Sequence, residues 1–326
     1  MPFWNRQTPE EKQRLLQQQQ LADVSRQSLE AGGLPTRAQQ RLQEETQKGH
    51  SLFTSDLSTN ELLLAREQGY QPLSQVMGSS IYQVGWQYTR QYSYNTQVQE
   101  MRMVSGAHQE AARLALNRLE QEAIILKAHG VIGVRFVQRD YAWGSNLIEY
   151  TAIGTAIKLP DTPLHARPFL SDLSGQEFWT LLQAGYYPAG VVTGYSSYWV
   201  SLGSQLTQQL RGWWGGGGVN QEIGPFTQVT YDACHQAMQR ATAMAHTLNA
   251  VGIVGMHIDN NRRIEEYETD NPKRNYLDLF VHFSVLGTAI IARKKDHTIP
   301  TPRPTLMFTD LRPGRYGQNR ELTFNG

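Results

Sequence analysis

The sequence predicts an α+β fold: two repeated small two-layer domains, each a mainly antiparallel sheet packed with one long helix and preceded by a short capped helix. Three observations carry this. The stretch GYQPLSQVMGSSIYQV at 69–84 returns as GYYPAGVVTGYSSYWV at 185–200. Two apolar stripes at helical spacing follow at matching places, and each leads into two strand-like segments, the second containing GTAI.

Residues 1–50 are rich in Gln, Glu and Arg, and good helix formers on either side of GGLP predict two polar helices. Their apolar stripe is too thin for an independent core, so this arm is read either as docked on a neighbour or as disordered in the free protein.

The first copy spans 51–162. Ser58 and Glu61 have the spacing of a capping box, in which the serine accepts from an early amide while the glutamate reaches back, and Gly69 suits the helix stop. A short strand is predicted near Ser74 to Met77, then a helix from about Ser105 to Lys127 with Ala112, Ala115, Leu116, Leu119, Ala123 and Leu126 on one face. The strands GVRFVQRDY and LIEYTAIGTAIKL close the copy.

The second copy spans 163–295 and repeats the order with Ser174, Glu177 and Gly185, a strand near Gly190 to Thr193, and a helix from about Tyr231 to Asn249. The offset between copies is 116 at Gly69 and Gly185, 122 at Gly130 and Gly252, and 133 at Gly154 and Gly287. The added residues fall near 211–221, where GWWGGGGVNQ reads as a surface loop, and near 266–276, where YETDNPKRN suits a surface hairpin or lobe. Residues 296–326 are proline-containing and read as an extended arm or a loose tail.

Bulk composition narrows the classes. The chain has 326 residues, 40% hydrophobic and 18% charged, and its formal net charge of +1 gives no global field for nucleic acid. A single cysteine, Cys234, rules out an intrachain disulfide framework and a cysteine-rich zinc site. No apolar run reaches membrane-spanning length and the start lacks a signal-type core, so the expectation is a cytoplasmic protein without direct membrane insertion.

Candidate chemistry is thin. Cys234 and Met238 share a helix face and suit a soft metal, but their repeat partners Ala112 and Leu116 mark ordinary core positions. His257 and His282 fall on the sheet face away from the helix, where adjacent strands would gather imidazoles and carboxylates for a metal, a small anion or a polar contact. The first-copy equivalents, Arg135 and Glu149, would form a salt bridge there. The glycine runs lack the lysine and hydroxyl of a P-loop. Aromatic density around Tyr82, Trp86, Tyr88, Tyr198 and Trp199 reads as sheet packing or as an oligomer interface. No Ser-His-Asp order, paired catalytic carboxylates or zinc-hydrolase motif stands out, and no cofactor is called for.

The segments AHGVIGV at 128–134 and GTA at 154–156, with AVGIVGM at 250–256 and GTA at 287–289, resemble the YbjQ-like family, often labelled a heavy-metal-binding domain. The resemblance covers about residues 53–160 and 169–294 and implies dodecin-like small α+β domains that associate as closed pentameric rings. The expected function is a non-enzymatic, homo-oligomeric scaffold or accessory protein, with a protein partner reached through the terminal arms. A small-ligand or metal-binding stress protein is the alternative.

Overall fold

In a computed structural model of the chain, the residues that can be described are 9–47, 54–85, 95–140, 147–160, 162–164, 167–204, 206–207, 222–270, 273–293, 307–308 and 320–321. Two polar helices come first, α1 (Pro9–Glu30) and α2 (Thr36–Gln47), followed by the short α3 (Thr59–Gln68). Then come β1 (Gln71–Gln83), β2 (Gln97–Glu100), the long α4 (Arg102–Ile125), β3 (Gly130–Asp140), β4 (Leu147–Lys158) and β5 (Phe169–Leu170). The order resumes with α5 (Gly175–Gln183), β6 (Tyr186–Leu202), α6 (Gly224–Thr247), β7 (Gly252–Asp270) and β8 (Lys273–Ala292). Residues 294–326 are a separate unit, in which β9 (Met307–Phe308) pairs antiparallel with β10 (Arg320–Glu321). The fold is thus mixed α+β with two four-stranded sheets. No helix among the described residues is long and apolar enough to cross a membrane.

The first sheet has the order β1-β4-β3-β5, antiparallel except where β5 runs parallel to β3. The second has the order β2-β6-β8-β7 and is antiparallel throughout. β2 immediately precedes α4 in the chain yet adds to the edge of the second sheet, Gln97–Glu100 pairing with Tyr198–Ser201. Helix α4 lies between the sheets: Ala112, Ala115, Leu119 and Ala123 meet Val76, Ala152 and Ala156 of the first, and the same core takes in Val191 and Tyr195 of β6. Helix α6 covers the opposite face of the second sheet through Ala233, Ala237 and Ala241 against Val200, Val281 and Phe283. Small helix residues let α4 and α6 approach the sheets closely.

Both capping boxes form. The Ser58 hydroxyl accepts from the Glu61 amide while Glu61 accepts from the Ser58 amide, and Ser174 and Glu177 repeat the exchange at α5. Gly69 ends α3 in the left-handed region at φ 76°. The strands differ from expectation in length. β1 and β6 run for 13 and 17 residues because glycine and serine in them make room for a helix backbone and do not end the strand. Helix α6 starts at Gly224, seven residues before the expected Tyr231, with Pro225 in its first turn, where the missing N–H costs nothing. Strands β7 and β8 stay paired out to Asp270 and Lys273, so the 266–276 insertion is a hairpin.

The N-terminal arm docks on its own chain. Leu34 and Leu42 are buried, α2 packs on α4, and Arg41 pairs with Glu122 at 2.9 Å. The buried Arg118 guanidinium donates to the carbonyls of Gly33, Leu29 and Ser79. Polar groups on α4 therefore hold the arm together with the buried Leu34 and Leu42. The glycine-rich segment at 211–221 lies outside the described residues, as does most of 296–326.

Candidate functional site

One group of interior polar residues collects along the seam where α4 and β3 meet the second sheet. His108 sits four residues before Ala112, on the apolar stripe of α4, so the helix carries it inward. Its Nδ1 lies 2.9 Å from the Tyr150 hydroxyl, and that hydroxyl donates to Gln138 Oε1 at 2.9 Å. Tyr150 has one proton, so giving it to Gln138 leaves its oxygen to accept from the His108 N–H. Tyr195 stacks on His108 with ring centroids 6.0 Å apart, and His282 lies 6.2 Å away. Full burial raises the Tyr195 phenol well above its ordinary range, so it stays protonated. Around these rings is a cavity of about 230 Å³ reached by Asn260, Asn261, Asp259 and Ser284.

His282 Nδ1 is 2.7 Å from Ser197 Oγ, and the two residues are direct partners across β6 and β8. The contact ties strands together: the Ser197 amide donates to Ser105 Oγ of α4 at 2.9 Å. Farther along the same face, the indole N–H of the buried Trp199 donates to Asp278 at 2.9 Å.

A second polar cluster sits where α3 and α5 meet, around a cavity of about 100 Å³ lined by Asp56, Glu61, Arg135, Asp172 and Glu177. Arg135 pairs with Asp56 at 3.4 Å, and Glu61 accepts from the Gly175 amide at 2.7 Å, so one carboxylate caps both helices. Burial would raise Glu61, but its hydrogen bonds to Ser58 and Gly175 and the nearby Arg135 bring it below the ordinary carboxylate value. Burial raises Asp172, against the opposing pull of Thr288. Among the described residues, no group of three or more His, Cys, Asp or Glu side chains is arranged to hold a metal ion.

A further opening of about 760 Å³ is a groove between α4, β5, β6 and the end of α6. Leu116, Phe169, Val191 and Leu248 line it, and the Arg167–Glu120 pair at 3.0 Å stands among its walls.

These placements separate the sequence candidates. His257 pairs in register with Leu286 and His282 with Asn261, so the two imidazoles sit four residues apart along the ladder, roughly 13 Å. They do not share a site: His282 joins the His108 seam, while His257 acts electrostatically on Asp172. The expected Arg135–Glu149 bridge does not form, because Glu149 stands opposite Arg139 and a bulge between Ile132 and Arg135 turns Arg135 toward Asp56. Tyr82 and Tyr198 are half-buried against their own cores and Trp199 is 1% exposed, while Trp86 and Tyr88 lie outside the described residues. Cys234 and Met238 pack against the α6 core.

Sequence reasoning missed His108, Tyr150, Gln138, Arg118 and Glu122. One signal was available: Arg118 recurs as Arg240 at the 122 offset. Both arginines donate to a strand carbonyl, Arg118 to Ser79 and Arg240 to Tyr195.

A long helix between two four-stranded sheets, with a hydrogen-bonded polar seam beside it, defines a mixed α+β protein. No family model matches the chain. The encapsulin nanocompartment protein Rv1762c of Mycobacterium tuberculosis is 37% identical over 210 residues, covering 63% of this chain and 77% of that protein. The chain belongs to the family of that encapsulin nanocompartment protein. This corrects the YbjQ-like resemblance, which rested on short glycine and alanine motifs. Those motifs mark glycines over which neighbouring side chains close in: a Cβ on Gly154 would come within 2.6 Å of the Val131 side chain, and one on Gly287 within 2.8 Å of the Ile253 side chain. Such packing is a need of many sheets. The pentamer count and the heavy-metal label came with that resemblance and go with it.

Proposed function

We propose that this chain is a non-enzymatic component of an encapsulin nanocompartment, a self-associating accessory or scaffold protein held with the shell. The likeness to Rv1762c carries the reading, since that relative is named for the compartment and the shared 210 residues exceed the length of either half of this chain. The interior supports a structural role, because its buried polar groups join elements: His108 to Tyr150, Ser197 to His282 and Trp199 to Asp278.

Residues 51–162 and 163–295 are read as two copies of one unit. Matching irregularities support this: bulges at Pro72/Ser74 and Pro188/Gly190, and at Ile132/Arg135 and Val254/His257. Lys127 and Asn249 both have positive φ, at 54° and 53°, an uncommon conformation for residues with side chains. A paired unit of this kind suits assembly better than turnover.

The test is gentle lysis of the native host followed by a density gradient and added protease. The full chain is expected to sediment with the encapsulin shell and to resist protease until the particles are opened. A chain that stays at the top of the gradient, free of shell, overturns the reading.

A further inference from the structure

We infer that copies of this chain join head to tail, the start of α6 of one copy seating on the free edge and outer face of β1 in the next. The inference rests on reading the two halves as copies and on self-association. It also names the surfaces.

The joint already exists once inside the chain. The N-terminal end of α4, in the first half, seats on β6, in the second. The Met101 amide donates to the Ser197 carbonyl at 2.8 Å, Ser105 Oγ accepts from the Ser197 amide at 2.9 Å, and Gln109 donates to Thr193 Oγ1 at 3.2 Å. Moving the helix residues forward by 122 gives Ile223, Thr227 and Tyr231 at the start of α6. Moving the strand residues back by 116 gives Ile81 and Met77 on β1. Within one chain these two sets have no counterpart to meet, because a third half would be required. A second copy supplies it.

The surfaces left over have the features such a joint needs. Ile81 is 61% exposed, Met77 47% and Tyr231 72%. β1 is an edge strand, and backbone groups of alternate residues face its open side. The Met77 amide is taken by Glu122 and the Ser79 carbonyl by Arg118, whereas the outward amide and carbonyl of Ile81 have no partner among the described residues. Those are the equivalents of the Ser197 groups that α4 occupies. The backbone at the start of each helix also matches: Met101 has φ −85° and ψ 74°, Ile223 φ −90° and ψ 85°. The polar Gln109–Thr193 pair becomes Tyr231 on Met77, and Ile223 comes onto Ile81, so the contact between chains is more apolar than the one within. Exposed edges and apolar patches of this sort mark association sites. A contact between different surfaces propagates, closing as a ring or extending as a filament.

The test uses the full chain with Cys234→Ser as background, and two differently tagged variants, Met77→Cys and Tyr231→Cys, co-expressed and treated with a short thiol crosslinker. Crosslinks are expected between the two tags, and neither variant alone should link to itself. Ile81→Lys should shift light scattering from oligomer to monomer with unchanged circular dichroism. Links from Met77→Cys to itself, or no link from an oligomer, overturn the inference. A chain that remains oligomeric and shell-associated without this link leaves the proposed function standing, and one that links but sediments free of shell does the reverse.

Discussion

The backbones of Gly78 and Ala115 touch: a Cβ added at Gly78 would lie 2.0 Å from the Ala115 carbonyl oxygen. Strand β1 reaches α4 this closely only because residue 78 has no side chain, and Gly194 meets Ala237 on α6 at the same 2.0 Å. Each long strand is fastened to its helix at one such point.

Gly78→Ala and Gly194→Ala should each push helix from strand and cost about 1–3 kcal/mol or more, as overpacking does. Gly106→Ala is the matched comparison: nothing lies within 4 Å of its added Cβ, and it sits within α4. That change should stabilise by about 0.5–1 kcal/mol through lower backbone entropy in the unfolded chain. Urea denaturation of the three variants, read by circular dichroism, gives the two signs.

Trp199→Phe keeps most of the buried ring and removes the donor to Asp278, which is itself buried. Losing a hydrogen bond to a buried carboxylate should cost about 1–3 kcal/mol. Denaturant titration followed by near-UV circular dichroism measures it, and an unchanged midpoint would show that the bond contributes nothing net.

Asp172 makes stability depend on pH. Its Oδ2 is buried without a partner among the described residues, and burial raises its pKa above the ordinary value of 3.8. A carboxyl raised in the folded state binds more protons there than in the unfolded chain. Its contribution is therefore fully present below 3.8 and is lost as pH rises through the folded value. Asp172→Asn does not ionise and still offers an oxygen to the Thr288 hydroxyl. In thermal melts from acid to neutral pH, the variant's melting temperature should gain on the parent as pH increases. A constant difference across the series would contradict the assignment.

Local patterns made several of these features readable. Ser58 with Glu61 and Ser174 with Glu177 gave both short helices, because a capping box is complete within four residues. The stripe from Ala112 to Ala123 faces the core as its spacing required, and His108 could have been placed on it by counting back one turn.

The sequence by itself determined the α+β composition, the two capped helices and the inward faces of α4 and α6. Only the tertiary structure decided that β2 leaves for the second sheet, that α4 is shared between sheets, that Trp199 finds Asp278, and that His257 and His282 stand apart. Helix faces and caps are set by residues a turn apart, so their physics is local. Strand partners, bulges and buried side-chain pairs join residues tens of positions apart, and a single bulge turns a side chain toward a different neighbour.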